Sequence, residues 1–322
     1  MEPNPPPSND TLKLIPKTTY EGRTLKFDFP SLHIGVAEYA EGPTGCTVFY
    51  FPKGAVGAAD IRGGSPGTCM AGDGGIDALC YAGGSLYGLE ASSGVAAELF
   101  AMHNYSTQWF DIALVRGAII FDYRPRKNAI YPDKALGRAA LKAAKPGIFP
   151  LGPRGAGCSA TVGKGFTFDM GESAGQGGAF RQVGPTKVAV FSVVNAVGGI
   201  VNREGNVVRG MVDKKTGKHV SISADLERRL AEQEAPKPPP GNTTISVIIT
   251  NQKLGSSALT QIARQVHASM ARVIQPFHTL DDGDVMYAIT TNEVENAKLN
   301  PTALGVLASE LAWDAVLNCY QK

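Results

Sequence analysis

The chain has 322 residues, and its 31 basic and 29 acidic side chains leave a net charge of +2. Hydrophobic residues make up 43% and charged residues only 19%, too apolar a balance for intrinsic disorder and without the clustered basic face that a nucleic-acid partner requires. The 38 glycines follow no G-X-Y period, so they mark tight turns and close backbone approaches rather than a collagen-like chain.

Residues 1–20 are polar and proline-rich and are expected to form a flexible tail. They show neither the basic nor the apolar stretch of a secretion leader. His33 to Ala40 and Cys46 to Phe51, separated by a glycine-proline turn, read as two strands, and Ala55 to Ile61 as a third. Gly94 to His103 has helical spacing at Val95, Leu99 and Met102. Ile112 to Tyr123 reads as a strand and Asp133 to Ala144 as a helix carrying Leu136, Ala140 and Ala144 on one side. Residues 152–184 are glycine-dense and give few structural signals.

Lys187 to Val194 and Thr244 to Thr250 read as buried strands. Between them, residues 203–242 gather charge, one expected helix (Asp225 to Gln233) and a proline run that cannot join a central sheet, and so read as a linker. The last 80 residues alternate strand and helix. Leu259, Ile262, Val266, Met270 and Val273 stripe an expected helix from Ala258 to Ile274, and Val285 to Thr291 forms a strand. Asn300 caps a final helix with Pro301 at its first position. Elements in blocks predict an α/β (α+β) fold, with helices packed outside two stacked sheets. Five scattered cysteines without a C-x-x-C imply reduced thiols. No run spans a membrane, and a cytoplasmic protein is expected.

Several motifs carry chemistry only in the right context. Gly155-Ala-Gly-Cys-Ser-Ala160 fits G-x-G-x-x-A but lacks the preceding strand and following helix of a dinucleotide loop. Gly171-Glu-Ser173-Ala-Gly175 fits the nucleophile elbow G-x-S-x-G, yet glycines follow it where a helix belongs. The five histidines lack metal-ligand spacing, and no metal or cofactor is expected. Asp282 and Asp284, two residues apart on an extended segment, share a face and can hold a proton between them; a polar turn explains the same spacing. Gly241-Asn-Thr-Thr244 joins the proline run to a buried strand. A threonine hydroxyl there can attack the Asn242 carbonyl, and Thr243, once freed, has its own α-amine as base. By pattern alone, that segment is equally a turn.

Phe27-Asp-Phe-Pro30, Glu41-Gly-Pro-Thr-Gly45, Tyr87-Gly-Leu-Glu-Ala91, Tyr131-Pro-Asp-Lys-Ala-Leu-Gly-Arg138, Gly241-Asn-Thr-Thr-Ile-Ser246 and Gln275-Pro-Phe-His-Thr279 with Asp282-Gly-Asp284 occur here in one order. Together they make the chain resemble the N-terminal-nucleophile aminopeptidases typified by the D-stereospecific aminopeptidase/esterase. Within them it is most similar to the branch that hydrolyses 6-aminohexanoate (nylon) oligomers.

The resemblance implies a four-layer αββα sandwich of the N-terminal-nucleophile-hydrolase type. It implies self-cleavage between Asn242 and Thr243 into a large chain (residues 21–242 after the tail) and a small chain (residues 243–322). It further implies Thr243 as nucleophile, Asp282 and Asp284 as its acidic pair, Lys164 as active-site lysine and Asn195 as the group that polarises the carbonyl. Linear amides or polyamides are the implied substrates and a homotetramer the implied assembly. Phe121 stands where relatives carry a tyrosine, with Tyr123 two residues on as its expected substitute near the substrate. An aminopeptidase for small or β-amino N-termini and an unprocessed, non-catalytic or acyl-transferring relative are the alternatives.

Overall fold

The computed structural model describes residues 5–236 and 239–320. Eight principal strands carry the fold: β1 (His33–Tyr39), β2 (Thr44–Ile61), β3 (Gly74–Ala82), β4 (Val115–Ile119), β5 (Gly175–Val183), β6 (Thr186–Asn195), β7 (Thr243–Gln252) and β8 (Val285–Val294). Five helices accompany them: α1 (Glu90–Met102), α2 (Lys134–Lys142), α3 (Ile222–Ala231), α4 (Ser256–Ser269) and α5 (Pro301–Leu317).

Along one edge-to-edge path the order is β5-β6-β7-β8-β2-β3-β4, with β1 pairing with the first half of β2. The β7–β8 and β3–β4 pairs are parallel and the others antiparallel. Crossovers of this kind place α4 and α1 on the outer faces of their sheets.

The alternation of side chains along each strand builds the layers. On β6, Val188, Val190 and Val194 join α4 and α5 in one apolar cluster, while Ala189, Phe191 and Val193 point into a second. On β8, Met286 and Ala288 take the first side and Val285, Tyr287 and Ile289 the second. That second cluster also receives Phe49 and Phe51 of β2 and Leu79 and Tyr81 of β3. On the far side, Val48, Ala78 and Cys80 pack with Val95, Leu99 and Leu136 of α1 and α2. Three apolar layers between four structural layers make the αββα sandwich.

The central layer is aromatic: Phe191 meets Phe49 at 5.2 Å and Phe149 at 4.6 Å between ring centroids. Such pairs add about 0.5–1.5 kcal/mol each beyond their area burial.

Several expectations about elements are corrected. Ala55 to Ile61 is the second half of β2, which continues through a register shift between Tyr50 and Ala55. The first half of β2 pairs with β1, the second with β8, so one long strand stitches both sheets. β4 ends at Ile119, which puts Phe121 and Tyr123 beyond the strand expected to carry them.

The glycine-dense region contains a full edge strand, β5. Residues 203–242 are more than a linker: Val207–Arg209 pairs with Gly199–Val201, Val212–Asp213 with Lys218–His219, and α3 follows. Lys237 and Pro238 of the proline run lie outside the described residues. In the expected tail, Asn9 bonds Tyr131 and Asp133 and Lys17 bridges to Glu38, which ties this segment to the body. The Asn300 cap and Pro301 start of α5 stand as expected.

All five cysteines are unpaired. Among the described residues, no helix is long and apolar enough to cross a membrane.

Candidate active site

Thr243 is the first residue of β7, an inner strand held by β6 on one side and β8 on the other. Its register partner across the antiparallel pair is Asn195, the last residue of β6. On the parallel side, the turn before β8 delivers Asp282 and Asp284, and Asn242 bridges Asp282 directly. Strand pairing alone therefore brings three of the sequence-predicted residues to one end of the sheet.

Lys164 arrives from a loop, and the backbone explains how. Gly163 N donates to Gly198 O at 2.8 Å and Gly165 N to Val197 O at 2.9 Å, which seats the loop along the chain leaving β6. The lysine side chain then turns inward under Asn195. Thr243, Lys164, Asn195, Asp282 and Asp284 are all buried.

The hydrogen bonds define a network. Lys164 Nζ donates to Thr161 O at 3.0 Å, Asn195 O at 2.9 Å and Asn195 Oδ1 at 3.1 Å. Burial pushes its pKa down to about 7, although the Asp282 charge favours the ammonium. Asn195 Oδ1 also accepts from Thr161 N at 3.0 Å, which fixes the amide so that Nδ2 must face the other way. Nδ2 donates to Phe121 O at 3.0 Å and Gly241 O at 3.2 Å.

Asp282 accepts from Val197 N at 3.2 Å and from Thr279 Oγ1 at 2.5 Å. Burial first, then the neighbouring Asp284 charge, pushes its pKa up to about 6. Asp284 accepts from Thr244 N at 2.7 Å, tying the acid to the residue after the threonine.

The Asn242 carbonyl has two donors. Gly283 N approaches Asn242 O at 2.8 Å, and the Thr243 hydroxyl donates to the same oxygen. Asn195 is the residue expected to polarise a carbonyl at this site. Its amide holds the Gly241 carbonyl, and the backbone N–H of Gly283, between the two aspartates, meets the Asn242 carbonyl. Asn242 is itself held by Nδ2–H to Pro239 O at 2.6 Å.

Gly241 has φ +83° and lies against Phe121, where a Cβ would stand 2.5 Å from the ring. Phe121 and Tyr123 meet edge to face at 5.6 Å between centroids, and the Arg126 guanidinium covers Tyr123 at 4.4 Å. Phe121 thus adjoins the segment that precedes the threonine, and Tyr123 packs against Phe121.

Ser173 is exposed in a two-residue strand, without the sharp strand-to-helix turn that makes a nucleophile elbow. Set aside in the sequence as metal ligands, two histidines have carboxylate partners here: His278 Nδ1 lies 3.1 Å from Asp284 Oδ2, and His267, buried, has Nδ1 2.9 Å from Asp60 Oδ2. Both lack metal-ligand spacing. Only the position of His278, four and six residues before the two acids, hinted at their surroundings.

Stacked sheets with helices on their outer faces make the N-terminal-nucleophile-hydrolase fold, which solved structures share. The solved L-aminopeptidase D-Ala-esterase/amidase of Ochrobactrum anthropi, described as a variant of that fold, matches with a TM-score of 0.61 at 15% identity, over 94% of this chain and 88% of that one. The chain belongs to peptidase family S58, whose family profile matches residues 27–320. It is 47% identical to the 6-aminohexanoate-oligomer endohydrolase of Agromyces sp. (strain KY5R) and 46% identical to that of Kocuria sp. (strain KY2), in each case over 97% of this chain and 90% of the relative.

Proposed function

We propose that the protein is a self-cleaving threonine amidase that hydrolyses internal amide bonds of 6-aminohexanoate oligomers and related polyamides. The observation that carries this reading is the convergence of Asn195, Asp282 and Asp284 on Thr243 at the ends of paired strands, with Lys164 beneath. The names of the relatives supply the substrate class.

In maturation, Thr243 Oγ attacks the Asn242 carbonyl carbon. The C–N bond breaks, the hydroxyl proton passes to the departing nitrogen, and the resulting ester is hydrolysed. Charge developing on the carbonyl oxygen meets the Gly283 N–H.

In turnover, the freed Thr243 α-amine accepts the proton of its own hydroxyl, which attacks the substrate amide. The proton passes to the leaving amine, and water then hydrolyses the acyl-enzyme. The Lys164 cation lowers the α-amine pKa from its reference of about 7.7–8.0, keeping it a competent base near neutrality. Asp282 and Asp284 hold the backbone around the threonine. Once residues 239–242 withdraw, Asn195 Nδ2 is free to donate to the substrate carbonyl. The assembled form we propose is a homotetramer; the exposed aromatic run of Tyr105, Trp109 and Phe110 is the kind of surface that an association between copies covers.

An oligomer with an acetylated amino terminus separates this reading from the aminopeptidase alternative. An endohydrolase cuts it internally, so chromatography should show shorter acetylated fragments. Release of single residues from free oligomers alone, with the blocked ones untouched, would favour the aminopeptidase.

Gly241 offers a second check on maturation. A side chain at positive φ costs about 1–2 kcal/mol, and the methyl would also press on Phe121 and move the Gly241 carbonyl off Asn195. Gly241→Ala should slow self-cleavage about tenfold or more, since 1.4 kcal/mol is a factor of ten. A time course of chain masses reads this directly. Adding Phe121→Ala should recover the steric share and leave the backbone share.

A further inference from the structure

We infer that His278 is a positioning residue for the Thr243 nucleophile, acting through Asp284 and braced by His267. The inference rests on Thr243 being that nucleophile.

Asp284 touches the strand that bears the threonine through one oxygen only: Oδ1 accepts from Thr244 N at 2.7 Å. A carboxylate bound at one oxygen can rotate about its side-chain torsions. Here the other oxygen, Oδ2, receives both the backbone N–H of His278 at 3.1 Å and His278 Nδ1 at 3.1 Å. The acid is thereby clamped between His278 and β7, and the start of β7 is fixed with it.

The histidine is held in turn. Its backbone has φ +59°, a left-handed conformation that few residues with a side chain adopt. The His267 ring meets it edge to face, 4.2 Å between centroids. His267 Nδ1 lies 2.9 Å from Asp60 Oδ2, and Arg62 Nε donates to that same carboxylate oxygen at 2.5 Å. A chain of contacts therefore runs Arg62–Asp60–His267–His278–Asp284–Thr244, from the far end of β2 to the second residue of β7.

The clamp requires hydrogen on His278 Nδ1, because a carboxylate oxygen accepts. His278 Nε2 and His267 Nε2 are buried without a protein partner among the described residues, so Nδ1 is the atom through which His278 acts.

Three replacements separate donor from backbone and bulk. In His278→Asn the amide nitrogen reproduces Nδ1, and asparagine tolerates the left-handed backbone. His278→Gly relieves that backbone but removes the donor, and His278→Phe keeps the ring alone. Self-cleavage of freshly made precursor should stay within about threefold of the parent in His278→Asn and fall at least tenfold in the other two. Matured samples should show the loss in kcat, with KM changing less than about twofold, because the clamp orients the nucleophile and not the substrate.

A His278→Gly protein that cleaves like the parent, or a His278→Asn protein as impaired as it, would overturn the inference. If these proteins fail to fold, nitrogen-15 spectra of the histidine-labelled parent decide the matter: Nδ1 of His278 should be protonated at neutral pH, and an unprotonated Nδ1 refutes the clamp. Failure of the underlying reading looks different, because the parent itself would then remain a single chain.

Discussion

Replacing Thr243 with alanine should leave one chain of 33.9 kDa where the parent, under the proposed cleavage, should give two, near 25.5 and 8.4 kDa from the shares of 242 and 80 residues. Amide hydrolysis should fall by a factor on the order of 10⁴ or more, the scale seen when the nucleophile of a hydrolase is removed. The fold gives reason to expect a clean result. Thr243 Oγ1 bonds only the carbonyl it would attack, so alanine removes a reacting group and leaves the β6–β7–β8 pairing in place. Intact mass under denaturing conditions and oligomer turnover measure both effects. A Thr243→Ala protein that still divides, or still hydrolyses oligomers, would return attention to Ser173.

Lys164→Met should produce the second largest loss, about 10²- to 10³-fold in self-cleavage, the range for removing one preorganised donor from an active site. Methionine keeps most of the stem volume but leaves Thr161 O, Asn195 O and Asn195 Oδ1 without the ammonium that joins them. Asn195 then loses one of the contacts that fix its amide.

The pH dependence carries a sign. Asp282, raised to about 6, is ionised above that pH, and Lys164, lowered to about 7, is charged below its own. The form with both charges is most populated between the two values. Self-cleavage, slowed for measurement in the Gly241→Ala background, should therefore fall on the acid side near 6 and on the alkaline side near 7, as apparent values of a coupled pair. Lys164→Met should abolish the alkaline limb. It should also move the acid limb upward, because the Asp282 charge that favours the ammonium is favoured by it in return. An unmoved acid limb would assign that limb to another group.

The outer layers were legible in the residues themselves. Leu259, Ile262 and Val266 recur at helical spacing because α4 has one buried face, and Asn300 with Pro301 marks the start of α5 before any packing is considered. The stacked sheets were legible as blocks of strands.

What escaped depends on contacts between distant segments. β5 has three glycines among its first four residues for want of room: a Cβ on Gly177 would stand 1.9 Å from Ala315 O of α5, and one on Gly175 would stand 2.0 Å from Gly152 O. Residues that look like turn formers are there for the closeness of neighbouring groups. The two halves of β2 looked like separate strands because Pro52 and Gly54 sit at the register shift, where the ladder to β3 is interrupted.

In the site, Thr243, Asp282 and Asp284 offered the right chemistry but read equally as turns, and it was the resemblance that singled them out and added Lys164 and Asn195. The Gly283 N–H could not be read, since every residue but proline has one and only folding aims it at Asn242. His278 and His267 stand 11 positions apart, and nothing in that interval suggests rings in contact.

The position of Thr243 at the head of an inner strand bears on how the mature protein dies. Under the proposed cleavage the small chain owns β7, α4, β8 and α5, while β6 and β2, the neighbours of its strands, belong to the large chain. Two of the three apolar layers draw side chains from both pieces, so the pieces cannot part without dismantling those layers. Folding precedes the cut as a reaction of one molecule. After the cut, renaturation is an encounter between two, and the high effective concentration of a single chain is gone. Survival then depends on how slowly the assembly opens rather than on how readily it reforms. Heated and cooled, the uncut Thr243→Ala chain should recover independently of its concentration, whereas the divided parent should recover poorly when dilute.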